Sequence, residues 1–240
     1  MNNAFFSQYQ PVSAPAREQN LFISQSRHLY LLRDGSLKYQ QKELDHRTAG
    51  SRTLLIRYVL LDVDSGTVYG EFHEAGADKD LLGFLARAWH IKVDHPMRGL
   101  PKQLNVPAAV SRDQALMDDI GRVSSWGQIA IGELPSGFSA GVHAVKQFER
   151  AVEGLSWRVP EHKAVDLYMV QALSALLSAE ASNSMSGLWK ERWLALSGPS
   201  DEFMKNVDAA YQEPGAWRKQ EPFSIALFGI PKPDPNRPVR

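Results

Sequence analysis

Residues 53–72 read TLLIRYVLLDVDSGTVYGEF, and the fold class turns on this stretch. Thr53 to Val63 is apolar on both faces, as a central strand with both sides covered would be. Asp64-Ser65-Gly66 turns it into a second strand at Thr67 to Phe72. Upstream, His28 to Leu32 and Ser36 to Gln40 flank Arg33-Asp34-Gly35, and an Asp-Gly pair between Leu- and Tyr-rich runs is a strong hairpin signal. Downstream the period changes: Leu81, Leu82, Leu85, Ala88 and Trp89 share one helical face behind Asp78 and Asp80, which predicts a helix over about 78–91.

The pattern continues with a short strand at Lys102 to Val106 stopped by Pro107, a helix from Ser111 as its N-cap, and a strand at Gly127 to Ile131. A Gly/Pro/Ser-rich loop, Leu134 to Gly141, leads into a helix with Val145, Phe148, Ala151, Val152 and Leu155 inward. The order is thus three antiparallel strands, helix, strand, helix, strand, loop, helix. Around this core, taken as residues 25–157, residues 1–24 read as a polar arm and 158–228 as a helical annex. The annex carries Trp189 and Trp193 at i and i+4, a spacing that favours core packing over an exposed surface built with Met185. Residues 229–240 hold four prolines and read as an extended tail.

Composition narrows the function. The 240 residues are 43% hydrophobic and 22% charged, a globular composition. Lys plus Arg equals Asp plus Glu at 27 each, so any nucleic-acid-binding surface is local rather than global. The absence of cysteine removes disulfides, thiol nucleophiles and zinc ribbons. The amino-terminal segment lacks the apolar stretch of a secretory signal and no run approaches a membrane span, so a soluble cytoplasmic protein is expected. There is no GxGxxG, GxxxxGKS, HExxH, GxSxG or EF-hand signature. His90 and His95 flank a loop at Asp94 and Pro96 without metal-binding spacing.

The element order, with Asp62-Val63-Asp64-Ser65-Gly66-Thr67-Val68-Tyr69-Gly70 at its hairpin, resembles the core of retroviral-type integrases and the related transposases. Leu82 to Trp89, Arg98 to Leu104, Pro135 to Gly141 and Val145 to Val152 are similar to that family's following helix, fourth strand, loop and last helix. The resemblance implies a ribonuclease H-like fold: a mixed five-stranded sheet flanked by helices, here with the helical annex added. It also implies three carboxylates, from the first strand, the end of the fourth strand and the last helix, holding two divalent ions about 3.5–4 Å apart for phosphoryl transfer.

This chain departs from that pattern at each place. Tyr39-Gln40-Gln41-Lys42 puts Lys42 where the first acid belongs, Pro107-Ala108-Ala109 stands at the second, and Lys146 falls at the third. Lysine inverts the charge and cannot ligate a hard cation. Asp45 or Glu149 would restore a position only through a register shift, and a one-residue slip in a strand moves the side chain to the other face. Asp62 and Asp64 could form a metal pair, but beside Ser65-Gly66 they suit turn chemistry better.

Three functions remain in competition. The first is an inactive integrase- or transposase-like protein of a mobile genetic element, with no cofactor, binding DNA or an assembly partner. Its DNA-binding face would comprise Arg87, Lys92, Arg98, Lys102, His143, Lys146 and Arg150. The second is an active strand-transferase or nuclease with magnesium or manganese on displaced acids. The third is a protein-interaction module or homo-oligomer without nucleic acid. No membrane partner is expected.

Overall fold

The computed structural model describes residues 14–45, 47–134, 139–159, 164–182 and 187–218. Six strands form one mixed sheet: β1 (Glu18–Leu31), β2 (Leu37–Tyr39), β3 (Thr53–Asp62), β4 (Val68–Glu74), β5 (Gln103–Val106) and β6 (Ala130–Glu133). Their order is β4-β3-β1-β5-β6, with β2 pairing β1 beyond that path. The β1/β2, β1/β3 and β3/β4 pairs are antiparallel, whereas β1/β5 and β5/β6 are parallel.

The central strand is therefore β1, and it begins at Glu18, inside the segment read from sequence as a polar arm. The reason is its buried polar residues. Gln19, Asn20 and Ser26 are almost fully buried, and each is bonded to another element or to its own bulge rather than to water. Such a strand carries little hydrophobic signal. Between Gln25 and Tyr30 the β1/β3 register shifts, and the Ser26 hydroxyl accepts from the amides of His28 and Leu29 at this bulge.

Both expected hairpins form. Asp34 Oδ1 accepts from the Ser36 amide and hydroxyl in the β1–β2 turn, and Asp62 Oδ1 does the same for Ser65 in the β3–β4 turn. Helix α1 (Leu81–Trp89) starts at an Asp80 cap whose carboxylate accepts from the Gly83 amide. Helix α2 (Gln114–Gly127) is capped by Asp113 rather than Ser111, because residues 108–112 form a 3-10 turn in which the Ser111 hydroxyl donates back to Ala108 O. β6 lies later than the Gly127–Ile131 reading because α2 runs through Gly127 and ends on a left-handed Gln128, φ 52°. Helix α3 (Ser139–Ser156) follows.

The annex is helical, with α4 (Leu167–Ala172), α5 (Ser174–Ala181), α6 (Gly187–Leu194) and α7 (Asp201–Ala210). It completes both sides of the sheet. On one face Leu21, Leu60 and Tyr69 pack with α1, α2, Trp193, Phe203 and Trp217. On the other, Leu29, Leu55, Val59 and Phe72 pack with α3, α4 and α5. Trp193 is fully buried and donates to the hydroxyls of Ser65 and Thr67, whereas Trp189 is half-buried under the Arg192 guanidinium. Met185 and the 229–240 tail lie outside the described residues.

α4 and α5, with the Ser182 cap, also cover the outer edge of β4. Ser182 and Ser178 hydroxyls accept from the Val68 and Gly70 amides, both at 2.9 Å, and Gln171 donates to Phe72 O. Four residues of helix rise about 6 Å and two of strand about 6.8 Å, so hydroxyls at i and i+4 match amides at i and i+2. The edge is thereby paired without another strand.

Candidate functional site

The parallel junction of β1 and β5 places Glu18 opposite Gln103 and Asn20 opposite Asn105. Asn20 and Asn105 are 1% and 2% exposed. Asn105 Nδ2 donates to Glu18 Oε1 and Asn20 Oδ1, both at 2.8 Å, and Gln103 Nε2 donates to Asn105 Oδ1 at 2.8 Å. On β6, a Cβ at Gly132 would meet Asn105 Oδ1 at 2.4 Å, so the amide layer lies across that glycine. The result is a neutral hydrogen-bonded network with one carboxylate at its margin. Sequence reasoning missed it because Glu18 and Asn20 sat in the presumed arm; the alternation Gln103-Leu104-Asn105-Val106 was the available signal.

Farther along β1, α3 supplies Glu149. Its carboxylate receives Arg57 Nη1 and the Ser26 hydroxyl, and Arg57 Nε donates to Ser24 Oγ at 3.0 Å. Both ionic side chains are nearly buried, so Glu149 has a fixed counter-ion and two oxygens already engaged.

The other sequence candidates scatter. Lys42 lies exposed in the loop after β2, not on the sheet's central strand, and its carbonyl accepts from Gln40 Nε2. Pro107 directly follows β5 and caps the 3-10 turn. Lys146 is exposed on α3. Asp45 accepts from the Arg47 and Thr48 amides in a loop. Asp62 is buried and accepts from the Ala16 amide as well as Ser65, with burial pushing its pKa up; Asp64 pairs with Arg17 at 2.9 Å. Among the described residues no three His, Asp or Glu side chains converge on a metal-sized site.

The expected basic face is also divided. Arg87 points inward, with two 2.8 Å bonds to Glu71, one to Asp80 and one to Trp217 O. Burial acts to raise the Glu71 pKa, but the Arg87 guanidinium outweighs it and holds the carboxyl at about 2. Lys92 Nζ is enclosed by the carbonyls of Arg87, Ala88, His90 and Met97 at 2.5–3.0 Å, closing the end of α1. Neither cation is available to a phosphate. Arg98 is half-buried, while Lys102, His143, Lys146 and Arg150 are exposed, the last three at i, i+3 and i+7 along the outer side of α3. His95 is buried and bonded to Val68 O and the Met97 amide; His90 stacks edge-on against Trp217. The two histidines therefore serve packing.

The divalent ions that the integrase resemblance implies do not fit this donor set. Neutral amides fill the β1/β5 junction, Pro107 offers no side-chain oxygen, and Arg57 occupies Glu149. Among the described residues no helix is long and apolar enough to cross a membrane.

No protein-family model matches the chain, and no curated protein matches it. Among solved structures it is similar to a chain in the cryo-EM structure of the simian T-cell lymphotropic virus intasome in complex with PP2A regulatory subunit B56 gamma. The TM-score is 0.40 and the identity 13%, over 77% of this chain and 57% of that chain.

Proposed function

We propose that this protein is a non-catalytic relative of integrase and transposase cores that binds DNA for a mobile genetic element without cutting it. The observation that carries the proposal is the pairing of an integrase-like element order with amides where acids would be needed. Three antiparallel strands, then helix, strand, helix, strand and helix, follow the order the family uses, with β2 as an addition. At the junction of its central and fourth-position strands stand Asn20 and Asn105, and the last helix offers Glu149 already paired with Arg57.

What remains outward is cationic. Lys102, Lys146 and Arg150, with His143, are exposed and can contact phosphates through charge, which gives affinity without sequence discrimination. Fluorescence anisotropy with labelled duplex DNA tests this. Binding should weaken steeply as salt rises, weaken further in Lys146→Glu, and leave the DNA intact with magnesium present. Salt-independent or absent binding would refute the DNA-binding reading and favour a protein partner.

A further inference from the structure

The outer side of α3 carries more than charge. His143, Lys146 and Arg150 follow helical spacing, and Trp157, immediately beyond the last helical residue, continues the line seven residues after Arg150, or about 10 Å. Trp157 is 83% exposed, whereas Trp89, Trp193 and Trp217 are buried. A second aromatic flanks the same helix: Tyr39 of β2 is 39% exposed, with its ring 5.8 Å from that of His28. Leu37, two residues earlier on the same face of β2, joins the core cluster that holds Val145, Phe148 and Val152 of α3, so Tyr39 lies on the side of the sheet that α3 covers. Two exposed aromatic side chains thus share the α3 side of the sheet with two strong cations, and Glu153 is a carboxylate on the same helix.

We propose that α3 and β2 form a platform for single-stranded nucleic acid, with Lys146 and Arg150 on phosphates and Tyr39 and Trp157 stacking on unpaired bases. The inference rests on the nucleic-acid reading above and narrows its ligand. An aromatic face can stack only on a base whose own face is uncovered, and a duplex interior hides those faces. Charge complementarity selects a polyanion over an apolar partner, and the aromatics select a single strand over a duplex.

Anisotropy titrations with oligo-dT, oligo-U and a duplex of equal length test the platform. Wild-type protein should bind a single strand more tightly than the duplex. Trp157→Ala and Tyr39→Ala should each weaken single-strand binding by about 5- to 100-fold and leave duplex binding unchanged. Lys146→Glu should weaken both. Trp157 is so exposed that its replacement should leave the melting temperature unchanged, which separates lost stacking from lost folding. Salt-sensitive duplex binding with no single-strand preference and no effect of Trp157→Ala would overturn the platform while leaving the DNA-binding reading intact. Absence of salt-sensitive binding to any probe would overturn both.

Discussion

Removing the two serines that cover β4 should cost far more than removing a third buried serine of the annex. Ser178→Ala and Ser182→Ala each delete the acceptor of a buried strand amide, Gly70 N–H or Val68 N–H. A buried donor left without a partner costs about 1–3 kcal/mol. Alanine's better helix propensity returns a few tenths of a kcal/mol, so each variant should lose about 1–2.5 kcal/mol. At roughly 2–4 °C per kcal/mol for a chain of this size, each should lower Tm by about 2–10 °C. Ser174 is the internal control: it is equally buried, but its hydroxyl donates to Val170 O of α4 rather than pairing with a strand amide. Ser174→Ala should change stability by less than about 0.5 kcal/mol, since only a side-chain bond back to the carbonyl four residues earlier is lost and no strand amide loses its acceptor. Urea denaturation gives the free energies, and hydrogen exchange at Val68 and Gly70 gives the site. Equal losses for Ser174→Ala and Ser178→Ala, or unchanged exchange at those two amides, would refute the edge-covering argument.

Three further outcomes follow from buried polar groups. Arg57→Ala or Glu149→Gln should each destabilise by about 3 kcal/mol because one ionic partner stays buried alone, whereas a double apolar replacement should cost less than the sum; a double-mutant cycle in urea checks the coupling. Asn105→Asp would place a second carboxylate 2.8 Å from Glu18, so it should lose about 3 kcal/mol near pH 8 and recover much of it near pH 5, where one acid is protonated; pH-resolved denaturation midpoints decide this. Burial holds His95 neutral, with its pKa well below the ordinary 6.5. Because the unfolded chain takes up a proton that the folded chain refuses, its contribution is complete above about pH 6.5 and falls below it by at most about 1.4 kcal/mol per pH unit. Asp119, pushed up to about 6 by burial, works with the opposite sign, so the His95 slope should be read in an Asp119→Asn background and should flatten in His95→Gln.

Sequence patterning located the elements whose apolar residues follow a simple period. The β3–β4 pair, α1 and the inward face of α3 were legible because Leu55, Val59, Leu85, Phe148 and Val152 fall at strand or helix spacing. β1 was legible only in its second half, where Leu29 and Leu31 approach the Asp34-Gly35 turn. Its first half buries Gln19 and Asn20 through hydrogen bonds to Trp89 and Asn105, partners 70 and 85 residues away that no local pattern reveals. That one omission left β1 without its first half and hid the amide junction. The basic set failed for a related reason: charge is visible in a sequence, but the direction of a side chain is not. Arg87 and Lys146 look alike until Glu71 and Asp80 are seen to enclose the first and solvent to surround the second. The annex composition pointed to helix, but not to the break at Leu173 that separates α4 from α5, and its serines gave no hint of covering a strand edge.

The proposed role joins DNA binding to the lack of a working metal centre, and both halves can be measured together. Isothermal calorimetry with magnesium and manganese, run in parallel with a cleavage assay on the DNA that the protein binds, tests it most directly. The expected result is no saturable metal binding and uncut DNA in a salt-sensitive complex; saturable metal binding accompanied by strand cleavage would overturn the proposed function.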